Sequence, residues 1–549
     1  MLKVREAVVD SVSSSGSTTV FVLMGAANQE LICDLEQRGG LRVVHCRHEA
    51  GAVGMADGYA RFSHHVGMAS VTSGPGVTNT ATSLAVAHAH RSPVLLLAGD
   101  TAQGDLSNPQ RFDQDAFTQL CAGDGGRITS PDQVSGMLHR ADSALAASRP
   151  FALHLPTDVQ EMTARPSSRH TPEPTGHVTS DDAPDHDAMA ATAASLLTAA
   201  DHPVILAGRG ALNARTPLVR LAQLLGAPLI TTLRAAGLFA GQSLEAGVAG
   251  PMGDGRGQRL LEESDAVLAV GTSLHPLAAS ALLQRRVPPR LIRIDTAPSA
   301  DHLSYDAYLR TEASLGARSL ERALTDRGLD ESVPWWRHLV GSTRVHLPTG
   351  RTGGVVHPLV ALDRLRNLLP EQRLLVIGGG HAALSACQML PASGPRDFTC
   401  VSTDFGAIGQ ALPVAIGACF ARPGQRVYHV TGDGELMMAL AELHTAVRYR
   451  LPLTIVVLND HGFGQERHNL HRAGRPGHHA DYTGPDLATV ANAMGASVYS
   501  ITRQDELGIL SGALGHEHGV VFVDIHIDSA YLNPVSAHVA TAITLPRPI

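Results

Sequence analysis

Short runs of continuous apolar residues alternate along the chain with longer, alanine-rich stretches whose apolar positions recur at helical spacing. Pro93–Ala98, Val204–Ala207, Ala266–Val270, Leu374–Ile377 and Leu453–Leu458 are apolar at every position, as strands covered on both faces must be. Strand and helix in such alternation predict repeated βαβ units, hence an α/β protein of doubly wound parallel sheets. Residues 166–187 are polar and rich in Pro, Ser and Thr; they cannot bury enough apolar surface to fold alone and read as a linker. A second interruption falls at 333–352. The pattern therefore predicts three domains, 1–165, 188–332 and 353–549.

A length of 549 residues agrees with three domains at ~100–200 residues each. A net charge of −8 with 4% aromatic residues removes the basic, stacking surface that a nucleic-acid partner requires. No apolar run approaches the ~20 residues that span a bilayer, so no membrane partner is expected. Glu6 and Asp10 stand where a secretory signal would need an apolar core. None of the six cysteines is spaced C-x-x-C, which points away from a zinc or dithiol site and towards a reduced, cytoplasmic enzyme.

The chemistry concentrates at 432–460, GDGELMMALAELHTAVRYRLPLTIVVLND. A Gly-Asp-Gly turn follows the apolar strand Val427–Val430. A helix is predicted from Met437 to Arg450, stopped by Pro452, before a second buried strand that ends in Asn459 and Asp460. Such a strand, turn and helix present backbone N–H groups to phosphate oxygens. Asp433 and Asp460, 27 residues apart, then fall at the carboxyl ends of neighbouring parallel strands, where open α/β sheets bind ligands. Two carboxylates and a backbone carbonyl suit Mg²⁺, with a diphosphate completing the octahedron. Gly-Asp-Gly alone is also an ordinary tight turn; the helix, the proline stop and the second acid are what mark a site.

This layout resembles the thiamin-diphosphate motif of the 2-oxoacid decarboxylase and acetolactate synthase superfamily, and the resemblance extends over essentially the entire chain. It implies a pyrimidine-binding, a central Rossmann-like and a diphosphate-binding domain. It makes Asp433 and Asp460 metal ligands with the Gly462 carbonyl, and sets Gly432, Gly434 and Glu435 against the diphosphate. Two departures stand out. Most members carry Asn where this chain has Asp460, and a small residue, commonly Ser, where it has Glu435. A diphosphate would repel that carboxylate, so only the Glu435 N–H is expected to serve. The segment 404–418, DFGAIGQALPVAIGA, resembles the one that grips the aminopyrimidine, with the Gly406 carbonyl towards its exocyclic amine and Ile408 as an apolar wedge. An isoleucine there is equally an ordinary core residue. GGGHAAL, 378–384, looks like the loop over the diphosphate and implicates Gly380 and His381.

The second anchor is 45–61, HCRHEAGAVGMADGYAR, where a strand ends near Cys46 and a helix carries Glu49 in its first turn. Acids are common at helix starts for the dipole alone. The pattern nevertheless resembles the superfamily's pyrimidine-domain signature, in which this glutamate bonds the pyrimidine ring and promotes the tautomer that takes the thiazolium proton. Glyoxylate carboligase-type members lack the acid. SVTSGPGVTN, 70–79, matches the glycine-rich turn of the pocket, and Thr72 stands where some aryl-oxoacid decarboxylases carry a working histidine. In the family the two anchors meet across a subunit interface, which implies a homodimer or homotetramer.

In the central domain, HPVILAGRG could hold a dinucleotide, but Asn213 stands where the third glycine belongs. Synthase relatives hold FAD here and decarboxylase relatives leave the domain empty. After Gly271-Thr272 the chain reads SLHPLAAS, without the arginine and acids usual in synthases, which weighs against FAD.

The resemblance implies decarboxylation of a 2-oxo acid followed by transfer of the acyl unit to an aldehyde or second 2-oxo acid. Glu466, six residues after Asp460, stands where pyruvate decarboxylase-like enzymes place a second catalytic glutamate, and favours the alternative of aldehyde release by a decarboxylase or C–C lyase. The paired histidines of those enzymes are absent; QRFDQDAFTQ, 110–119, looks more synthase-like and offers Gln114 to the pocket. A non-catalytic cofactor-binding subunit is the third reading, drawn only from Glu435. Two histidine pairs, His468 with His471 and His478 with His479, read as solvated loop residues.

Overall fold

Among the described residues, eighteen strands form three six-stranded parallel sheets. The computed structural model describes residues 2–63, 65–164, 186–283, 285–298, 303–340, 347–348, 354–482, 484–534 and 536. Of the predicted linker 166–187, all but 186–187 lies outside these residues, as do 341–346 and 349–352 of the second. Residues 186–187 already belong to a helix, His186–Thr198.

The first sheet comprises β1 (Thr19–Val22), β2 (Arg42–His45), β3 (Gly67–Val71), β4 (Val94–Asp100), β5 (Gly125–Arg127) and β6 (Phe151–Pro156), in the order β2-β1-β3-β4-β6-β5. The second comprises β7 (Pro203–Ala207), β8 (Leu229–Thr231), β9 (Glu245–Val248), β10 (Ala266–Val270), β11 (Arg290–Asp295) and β12 (Ala307–Arg310), in the order β12-β11-β10-β7-β8-β9. The third comprises β13 (Leu374–Ile377), β14 (Phe398–Cys400), β15 (Val427–Gly432), β16 (Leu453–Asn459), β17 (Ser497–Ile501) and β18 (Val520–His526), in the order β14-β13-β15-β16-β18-β17. The apolar runs read from the sequence are these strands, within one or two residues at their ends.

Besides a return at one edge of the first and third sheets, where β6 and β18 lie inside β5 and β17, the winding reverses between β1 and β3, β7 and β10, and β13 and β15. The loops leaving those pairs frame the crevices where doubly wound sheets take ligands. In the third sheet they are the two glycine-rich turns singled out in the sequence, starting at Gly378 and Gly432.

The chain divides into two compact units; one carries the first and third sheets, the other the central sheet. The first unit is joined by two helices, α1 (Glu49–Phe62) and, further on, 411–421. Both have faces of small residues, which lets their backbones touch. A Cβ on Gly58 would stand 2.1 Å from the Val414 carbonyl oxygen, and one on Gly417 2.0 Å from that of Met55. Among the described residues no helix is long and apolar enough to cross a membrane.

Candidate active site

Strands β15 and β16 pair in register, with Gly432 opposite Leu458, so the residues that follow them leave the sheet side by side. Gly432 caps a short helix, Asp433–Met438, that starts on the predicted metal ligand itself. The single helix expected from Met437 to Arg450 is instead two: the first ends at Ala439, whose φ of −124° leaves the helical region, and a second spans Ala441–Arg448. The break lets Glu442, buried in the second helix, accept the N–H groups of Arg47 and His48 at the entry to α1.

Asp433 and Asp460 are both buried. Asp433 Oδ2 accepts from the Gly462 N–H at 3.1 Å and from the Tyr482 hydroxyl at 2.9 Å, while its Oδ1 is buried with no hydrogen-bond donor. Asp460 Oδ2 accepts from Arg467 at 3.0 Å and lies 3.8 Å from His381 Nδ1. Burial first, and then the negative charge of Asp433, hold the Asp460 carboxyl well above the usual carboxylate range. Two acids in mutual repulsion, one with an orphaned oxygen, form a cradle that a divalent cation fits. Among the described residues no three His, Cys, Asp or Glu side chains gather as a metal site. A cation here therefore needs further oxygen ligands, such as the Gly462 carbonyl and a diphosphate.

The side chain of Glu435 is buried. It accepts the N–H groups of Gly379 and Gly409, the latter at 3.2 Å, and the Thr431 hydroxyl at 3.0 Å. Burial raises its carboxyl pKa, and these hydrogen bonds oppose the rise. Gly434 sits where a Cβ would touch the Phe463 ring at 2.9 Å. Gly380 (φ 77°) opens the helix Gly380–Met389, and His381 follows it, buried edge-on against His468 with ring centroids 5.0 Å apart. His468 is thus a packed residue and not the solvated one that its loop position implied; His471, His478 and His479 are exposed. Gly406 adopts φ 75° after the turn Ser402–Phe405, and half-buried Ile408 packs over Gly379, where a Cβ would meet its Cγ2 at 2.5 Å.

Glu49 lies half-buried in the first turn of α1 and accepts from Asn79 Nδ2 at 3.0 Å. No hydrogen bond or ion pair among the described residues joins it to Asp433 or Asp460 within this chain. Gln114 is buried with its amide already engaged: it accepts from the Gly74 N–H at 3.3 Å and donates to the Gly99 carbonyl at 2.9 Å. It also bonds His154 Nδ1 at 3.0 Å. It therefore braces the glycine turn at Gly74 (φ 62°). Glu466 is exposed in the first turn of the helix Gly464–Arg472 and accepts from the Asn469 side chain at 3.3 Å.

Three family models cover the chain in order. The N-terminal thiamine pyrophosphate-binding domain matches residues 2–122, the central domain 190–317, and the C-terminal thiamine pyrophosphate-binding domain 378–525. The chain belongs to the thiamine pyrophosphate enzyme family. It is 27% identical to the acetolactate synthase large subunit of Haemophilus influenzae over 96% of this chain and 94% of that one. It is 27% identical to the sulfoacetaldehyde acetyltransferase of Alcaligenes xylosoxydans xylosoxydans (92% and 89%). It is 29% identical to a probable 2-ketoarginine decarboxylase of Pseudomonas aeruginosa (92% and 90%).

In this thiamine pyrophosphate enzyme the central glycine turn closes on protein. The N–H groups of Gly208 and Gly210 bond the carbonyls of Val270 and Gly271 at 2.8 and 2.9 Å, so neither is offered to a dinucleotide pyrophosphate. A Cβ on Gly208 would stand 2.4 Å from the Gly271 oxygen, so these glycines serve loop-to-loop contact.

Sequence reading missed Arg467 and Tyr482. Arg467 holds both Asp460 and Asp481, and Tyr482 holds Asp433. An extra charge at 460 was the one available signal that a cation had to stand near it.

Proposed function

We propose that this thiamin-diphosphate enzyme uses Mg²⁺ to decarboxylate a 2-oxo acid and pass the acyl unit to a carbonyl acceptor, an aldehyde or a second 2-oxo acid. The observation that carries the metal half is the buried acid pair with the orphaned Asp433 Oδ1 at the ends of adjacent strands. When bound, the cofactor would supply a carbanionic carbon as nucleophile towards the 2-oxo acid and a cationic ring as the sink for the electron pair left by CO₂. Asp433, Asp460 and the Gly462 carbonyl hold the cation. The N–H groups at Gly432, Gly434, Glu435 and Gly380 receive the diphosphate, with His381 beside them. Gly406 and Ile408 orient the pyrimidine, and Glu49 holds a proton at its ring nitrogen. Because the two anchors meet across a subunit interface in the family this chain resembles, we assign a homodimer or homotetramer in which each copy completes the other's site. The domains 1–165, 188–332 and 353–549, their linkers and a cytoplasmic location complete the proposal.

Aldehyde release by a decarboxylase or C–C lyase is the second reading, favoured by the similarity to the probable 2-ketoarginine decarboxylase and by Glu466 at its motif position. Conversion of Glu466 to Gln abolishes aldehyde release while donor decarboxylation is retained on that reading, and leaves carbon–carbon joining unchanged on the first. CO₂ release from a panel of 2-oxo acids tests the shared chemistry. It is expected to require both thiamin diphosphate and Mg²⁺ and to fall by at least ~100-fold in Glu49→Gln and Asp433→Ala, ~100-fold being within reach of one electrostatic or acid–base group. Turnover in either variant at the wild-type rate overturns the assignment.

A further inference from the structure

We propose that Glu435 is a positioning residue whose carboxylate, received by backbone N–H groups of two separate loops, fixes the walls of the diphosphate crevice. This rests on reading 378–384 and 404–409 as cofactor loops. The carboxylate is 5% exposed, and its donors come from three places: Gly379 after β13, Gly409 after the turn Ser402–Phe405, and Thr431 at the end of β15. These are the segments that border the point where the sheet reverses its winding. A serine could not span them. The arrangement is also reciprocal: a Cβ on Gly378 would stand 1.9 Å from Glu435 Oε2, so glycine at 378 is the counterpart of glutamate at 435. Ile408, packed over Gly379, is held by the same tie. Loss of the carboxylate leaves buried N–H groups of both loops without an acceptor.

The test is calorimetric titration of the full chain with thiamin diphosphate in Mg²⁺, paired with thermal unfolding of the cofactor-free protein. It compares wild type with Glu435→Ala, Glu435→Gln, Gly378→Ala and the double variant Gly378→Ala/Glu435→Ala. Cofactor Kd is expected to rise about tenfold in Glu435→Ala, equivalent to one group's worth of buried hydrogen bonding. It is expected to rise by a smaller factor in Glu435→Gln, which keeps one acceptor oxygen. The double variant is expected to be no worse than Gly378→Ala alone, because the added methyl has already displaced the carboxylate. A lowered unfolding midpoint with wild-type Kd in both Glu435 variants would overturn the positioning role, as would additive losses at 378 and 435. Should Glu435→Ala fail to fold, Glu435→Gln carries the same comparison. Wild type that binds no thiamin diphosphate sinks the loop reading together with this proposal; wild type and Glu435 variants that bind equally sink the proposal alone.

Discussion

Asp433 spends one oxygen on Gly462 and Tyr482 and leaves the other without a donor, a costly arrangement for a buried acid unless a cation completes it. Asp433→Ala is therefore expected to lower Mn²⁺ affinity, read by electron paramagnetic resonance with thiamin diphosphate present, by at least ~100-fold. Tyr482→Phe removes only an outer partner and is expected to cost about tenfold, the lower end for such contacts. Equal affinity in Asp433→Ala would remove the metal assignment. At this scale the sequence was informative where chemistry imposed spacing: the two acids could be picked out because both end buried strands. Gln114 could be located but not interpreted, since the four-atom reach of its amide to Gly74, Gly99 and His154 exists only in the fold. Tyr482, 49 residues beyond Asp433, carried no local signal at all.

At the scale of elements, the pattern of apolar runs specified the strands because each is covered on both faces and so nearly uniform in hydrophobicity. Helix limits were less legible. The continuous period from Met437 to Arg450 hid a break that tertiary hydrogen bonds to Glu442 accompany. The contact of α1 with helix 411–421 was written in the sequence only as an excess of Gly and Ala, whose purpose is the 2.1 Å clearance at Gly58. Gly58→Ala forces the two backbones apart and is expected to destabilise the protein by about 1–3 kcal/mol, the usual cost of overpacking. Chemical denaturation checks this, and an unchanged midpoint would show that the helices part freely.

The whole molecule buries neutral histidines that no sequence pattern announced. Burial pushes His90 and His429 down to about 4 and His154 to about 3. A histidine whose folded value lies below its unfolded one binds its proton on unfolding, so its contribution is complete above about pH 6.5 and is lost as pH falls through that value. Raised acids such as Glu435 and Glu442 act in the opposite sense. The histidine term is therefore read as a difference: the lead in unfolding midpoint of wild type over His154→Gln is expected to shrink from pH 6.5 to pH 4, by the slope of one unbound proton. A lead that stays constant would contradict a neutral, buried His154. Three doubly wound sheets were legible from periodicity and motif order, whereas the assembly proposed to complete the site lies beyond any single chain.

The account turns most directly on what becomes of the acyl unit. Nuclear magnetic resonance of the products formed from several 2-oxo acids, with thiamin diphosphate and Mg²⁺ and with or without added aldehyde, reads that fate in one experiment. Carbon–carbon-joined products are predicted to dominate and to grow with acceptor concentration. Aldehyde and CO₂ alone, whatever acceptor is present, would contradict it.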